Sequence, residues 1–126
     1  MEEFTTFALR TGWWAMIAGV ASGAIIGLFF HREDWMGGYA SHRRRLTRLG
    51  HISFFGIGFL NLLYGLSLPH LNISPAAAHL GTLALLTANI TMPTCCFLSA
   101  WRKPLRHLFP IPVLATTLGI GTLLVT

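Results

Sequence analysis

Four long, unbroken apolar blocks, at residues 11–31, 49–68, 76–99 and 108–126, constrain this chain more than any other feature. An apolar run of about 18 or more residues is what a helix needs to cross the ~30 Å hydrocarbon layer of a bilayer. Barrel strands would be shorter and would alternate apolar with polar, whereas these blocks are continuously apolar and rich in Leu, Ala, Ile and Gly. Charge supports the same reading. Only 10% of the residues are charged and 53% are hydrophobic, against roughly 25% charged in a soluble domain, so a water-facing surface cannot be assembled from what is present. The expected fold is all-α, an integral membrane bundle of four transmembrane helices forming a single domain, 1–126.

The first residues include Glu2 and Glu3 in place of a basic segment, so the first block reads as a retained helix rather than a secretory signal. The net charge of +5 points to topology rather than to nucleic acid, because of where the charges stand. Arg32, Arg43, Arg44, Arg45 and Arg48 lie between the first two blocks, and Arg102, Lys103 and Arg106 lie between the last two. The 69–75 connection carries no Lys or Arg, and the only other basic residue is Arg10. Basic flanks are retained on the cytoplasmic side, where they also meet anionic headgroups. The expected location is therefore a bacterial inner membrane, with both termini on the non-cytoplasmic side.

Helices in lipid associate through close contact between small residues and through a few polar groups, since the surrounding hydrocarbon is as apolar as Leu. In the first block Ala15, Gly19, Gly23 and Gly27 recur every fourth residue, which predicts a groove that admits a neighbouring helix. In the second, His51, Gly58 and Gly65 recur every seventh, with Phe55 and Leu62 between them and Asn61 at the edge; this face is expected to meet the third helix or the first. In the third, His79, Thr82, Leu86, Asn89, Pro93 and Cys96 share one face, which polar groups in lipid turn inward. Asn61 and Asn89 both fall near mid-membrane, where a bond between them is worth about 0.6 to 2 kcal/mol. Pro93 leaves the Asn89 carbonyl without its helical donor and is expected to bend the helix.

Six histidines are the sequence's main chemical resource. A haem b held by two imidazoles needs them at similar depth on helices that pack side by side. His31, His51 and His107 form one set near the basic connections, and His70 and His79 form another at the opposite end. His51 and His79 are the leading candidates for haem iron, because each is about one turn inside the membrane on a face with small or polar residues. For His42, His70 and His107 the competing reading is an interface residue bonded to headgroups or water. The stretch Arg48-Leu49-Gly50-His51-Ile52-Ser53-Phe54-Phe55, continued by Leu63-Tyr64-Gly65, resembles the His-bearing helix of small relatives of haem–copper oxidase subunit I. It departs from them in having Ser53 or Arg48 where they carry a closely spaced second His.

No phosphate-binding Gly loop, zinc-protease helix or Ser-His-Asp set is present, and no carboxylate falls inside a block. Ion-coupled carriers place ionisable groups at mid-membrane, and a pore without a charged ring lacks a device for selectivity. The sequence thus predicts a non-enzymatic subunit of a multi-subunit respiratory or electron-transfer complex, with membrane lipids and other membrane subunits as partners. The competing readings are a structural, lipid-contacting subunit and a small oligomeric transporter or channel.

Overall fold

The computed structural model describes residues 1–125; Thr126, the end of the fourth expected block, lies outside them. Four helices account for the chain: α1 (Glu2–Phe29), α2 (His42–Ser67), α3 (Pro75–Trp101) and α4 (Pro110–Gly121). Short 3-10 turns precede and follow α4, at Lys103–Leu108 and Thr122–Leu124, so the apolar helical stretch there runs from Lys103 to Leu124. All four stretches are long and apolar enough to cross a membrane, and no strand occurs among the described residues.

Two helices begin well before their apolar blocks, because a hydropathy block marks the lipid-facing part of a helix and not its hydrogen-bonded ends. α1 starts at Glu2 instead of residue 11, with Glu2 and Glu3 in its first turn, where carboxylates offset the positive end of the helix dipole. α2 starts at His42 instead of residue 49, because Ser41 is an N-cap whose Oγ accepts from the Arg44 N–H at 3.2 Å. α3 is capped in the same way by Ser74, with Pro75 at its first position. It continues through Pro93 as one helix.

α1 packs on α2, α2 on α3 and α3 on α4, with a smaller contact between α1 and α3, while among the described residues α1 and α4 make at most a slight contact. The four-helix bundle is therefore open, with α3 as its most buried member and α1 and α4 largely exposed. The small-residue row of α1 forms the seam with α2, the face that was expected to meet either the third helix or the first. A Cβ on Gly12, Gly19 or Gly23 would come within 2.6 Å of Leu62, Phe55 or His51 respectively, so each α2 side chain occupies a notch in α1. Ala15 lies opposite Gly58, and Gly65 lies opposite Leu9 and the Thr5 carbonyl. Gly27 departs from the expected row. It has nothing within 4 Å of its Cβ position, because the contact ends where the ring of His51 covers Gly23.

At the basic end the 30–41 and 102–109 connections approach each other, as Met36, Gly37 and Ser41 border one cavity with Lys103. At the other end Ala8, Tyr64, Leu68, Ile73, Ala78 and Leu85 form the buried apolar core, with Phe4 against it. Cys95 and Cys96 are buried and free.

Candidate functional site

The basic end is organised by a residue that charge statistics assign to solvent. Arg44 is only 2% exposed. Its guanidinium donates to the carbonyls of Phe30 at 2.7 Å, Arg32 at 3.1 Å and Glu33 at 3.4 Å, all just beyond the last residue of α1. Carbonyls at a helix C-terminus lack helical donors and carry its negative dipole end, so a cation here satisfies both needs. Phe30 closes over the guanidinium at 4.4 Å, and Trp35 and Tyr39 stand at 5.6 Å. Arg44 thereby joins the end of α1 to the start of α2. The connection between them contains a left-handed Met36 (φ 54), an uncommon state for a side chain other than Gly. It is held there by Ser41 Oγ, which donates to the Met36 carbonyl at 2.6 Å, and by Thr47 Oγ1, 3.5 Å from the Met36 sulfur.

Within the membrane a second polar cluster ties α2 to α3 and to the 3-10 turn that follows α4. Thr122 Oγ1 donates to the Gly119 carbonyl at 2.7 Å, and the single Tyr64 hydroxyl proton is shared between Thr122 Oγ1 at 3.0 Å and the Ala78 carbonyl at 3.3 Å. Gly81 makes room for this junction. A Cβ there would overlap the Tyr64 and Thr122 oxygens.

The two asparagines do not form the expected pair. Asn61 is fully buried and its amide donates to the carbonyls of Ile57 at 3.0 Å and Leu85 at 3.5 Å. Since α2 and α3 run antiparallel and Asn61 lies opposite Leu85, Asn89 stands one turn farther toward the basic end, opposite the level of Phe54 and Ile57. Neither Asn89 Nδ2 nor Oδ1 has a hydrogen-bond partner, although the residue is only 6% exposed. Asn89 lies at a groove of ≈ 270 Å³ that it shares with Thr11, Trp14, Ala15 and Ala18 of α1 and Phe54, Leu86 and Ile90. Of the expected α3 face, Thr82, Asn89, Pro93 and Cys96 are buried, Leu86 is half-buried and His79 is exposed.

The histidines are dispersed. His51 is half-buried, with its Nδ1 3.0 Å from Ser22 Oγ, its ring over Gly23 and perpendicular to the Phe55 ring. His79 stacks on Phe4 at 5.4 Å. With Asn61 opposite Leu85 in the antiparallel pair, His79 lies at the level of Ser67, 16 residues from His51, which separates them by about 24 Å along the helix axes at 1.5 Å per residue. They do not share a depth. His31, His70 and His107 are exposed at helix ends or in connections. No cluster of three or more His, Cys, Asp or Glu with metal-binding geometry occurs among the described residues.

Sequence reasoning missed Arg44, Tyr64, Thr122, Gly12 and Gly81 as organising residues. Ser41, three residues before Arg44, was the one local sign that the Arg run enters a helix. Comparison with protein-family models, curated proteins and solved structures finds no match to this chain.

Proposed function

We propose that this chain is a small, non-catalytic subunit of a larger membrane assembly, acting by packing against transmembrane helices of other subunits. The observation that carries the reading is Asn89, an amide near the middle of a membrane helix with both donor and acceptor unpartnered. An unmatched amide in hydrocarbon costs several kcal/mol, and a neighbouring helix that brings a polar side chain to the groove removes that cost once the covered Asn89 amide turns to meet it. The dimensions agree: the groove follows α1 from Thr11 to Ala18, about 10 Å of helix, close to the 10–12 Å width of one crossing helix. The open architecture supports it further, since α1 and α4 are not closed against each other and remain largely exposed.

A respiratory or electron-transfer complex is the host whose chemistry would use the histidines. With His51 and His79 at different depths, a haem b in such a complex takes one axial imidazole from this chain and the other from a neighbouring subunit. Arg32 with Arg43, Arg44, Arg45 and Arg48 around the start of α2, and Arg102, Lys103 and Arg106 after α3, support a cytoplasmic basic end in the inner membrane, with residues 68–75 and both termini opposite.

A photo-crosslinking residue in place of Trp14 or Ile90, at the groove, tests the reading in native membranes. It should trap another polypeptide, while the same probe at Ile25, an exposed lipid-facing position, should not. Equal yields from the two sites would refute the groove as the contact. A reduced-minus-oxidised visible spectrum of the isolated assembly tests the haem version, which requires a b-type signal lost in His79→Ala or His51→Ala.

A further inference from the structure

We infer that the cavity between the start of α2 and the segment after α3 is a binding site for the phosphate head of an anionic phospholipid. The cavity has a volume of ≈ 560 Å³ and is bordered by Ser41, His42 and Arg43 at the start of α2, by Trp101 at the end of α3 and by Lys103 beyond it. These segments are far apart in sequence, so the site exists only in the folded chain. Its ionisable borders are Arg43, Lys103 and His42, and no carboxylate lines it. The Arg43 and Lys103 side chains are exposed and reach it from opposite walls. His42 also borders the cavity, and its Nε2 is covered and has no hydrogen-bond partner, so a turn of the ring toward the cavity would give that nitrogen a phosphate oxygen to bond. The first turn of α2 adds the positive end of a 26-residue helix.

A lipid, rather than a soluble phosphate compound, is the source the surroundings favour. Trp101 is 63% exposed and carries the Arg102 guanidinium 4.9 Å above its ring, the disposition of an aromatic side chain at headgroup level. Leu49 lies two helical turns from His42 on the same face of α2 and is 48% exposed, which offers an acyl chain a track into the membrane. Neutral lipids lack the net charge that two opposed cations select for. This site is independent of the Asn89 groove, and its test does not require partner subunits.

The purified full chain, exchanged into micelles containing either phosphatidylglycerol or phosphatidylcholine, is examined by native mass spectrometry for retained lipid. The wild type should hold one phosphatidylglycerol and no phosphatidylcholine at matched concentrations. Each cation near the headgroups contributes about fivefold, so Arg43→Gln with Lys103→Gln should weaken retention about thirtyfold. Arg45→Gln with Arg106→Gln removes the same charge outside the cavity and should leave it nearly unchanged. Circular dichroism of both double variants confirms that they fold. Equal loss in the two double variants would reduce the effect to diffuse attraction and overturn the site. Retention of phosphatidylcholine to the same extent, or displacement of the lipid by millimolar inorganic phosphate, would overturn the lipid assignment.

Discussion

Replacing Gly81 by Ala adds one methyl group at the point where three helices meet, and the consequence follows from the surrounding geometry. The new Cβ would overlap the Tyr64 hydroxyl and Thr122 Oγ1 and stand 2.6 Å from Tyr64 Cζ. Tyr64 is 1% exposed and belongs to the same apolar core as Leu68, itself 1% exposed, so the ring has no free space to enter. Overpacking of this kind costs about 1–3 kcal/mol. Displacing the hydroxyl also weakens its bonds to Ala78 and Thr122, each worth about 0.6–2 kcal/mol in a membrane interior. Ala recovers up to about 1 kcal/mol through its better helix propensity. The net expectation is a loss of about 1–4 kcal/mol, read from unfolding in mixed dodecyl sulfate micelles by far-ultraviolet circular dichroism. Gly27→Ala is the matched control, because nothing lies within 4 Å of its added methyl; it should be neutral or slightly stabilising. Tyr64→Phe removes the closest atom, so the pair Gly81→Ala with Tyr64→Phe should lose less than the two single changes added together. Equal stability of Gly81→Ala and Gly27→Ala, or strict additivity of the pair, would show that the three-helix junction is not packed as described.

Gly23→Leu should destabilise the α1–α2 seam by more than about 1 kcal/mol, since it must expel the His51 ring from its notch, whereas Ile25→Leu on the exposed face of α1 should change little; equal thermal stability of the two in detergent would contradict the seam. Arg44→Gln should cost about 2–4 kcal/mol by stripping a charged donor from carbonyls at the end of α1, while exposed Arg45→Gln stays within about 0.5 kcal/mol; chemical denaturation that ranks them the other way would remove Arg44 from that role. A cysteine at position 72 should react with an impermeant maleimide from the non-cytoplasmic side, and labelling from the cytoplasm alone would invert the proposed topology.

Much of this arrangement is written in the sequence as periodicity. The blocks become the helices because lipid demands continuous apolar length, and Gly19 and Gly23 become notches because only small residues let α2 approach. The ends of α1 and α2 were not legible, since Glu2, Glu3 and the Arg43–Arg45 run are polar and a hydropathy block stops where the lipid does. Arg44 was hidden for a related reason: its charge suggests solvent, and only the fold brings the carbonyls of Phe30 and Arg32 to it. Equal depth alone suggested that Asn61 and Asn89 would bond. The α2–α3 register decides otherwise by placing Asn61 at Leu85, one turn away. The Tyr64–Thr122 junction joins residues 58 positions apart and leaves no periodic trace.

Whether Asn89 marks a contact with other subunits is tested most directly by the mass of the particle extracted from native membranes in a mild detergent. Wild type should emerge as a defined complex with other polypeptides. Asn89→Leu, which removes the unmatched amide and fills the groove, should release a folded chain of 13.9 kDa. A wild-type chain that emerges alone at that mass, or an Asn89→Leu variant that keeps the same partners in the same proportion, would contradict the account.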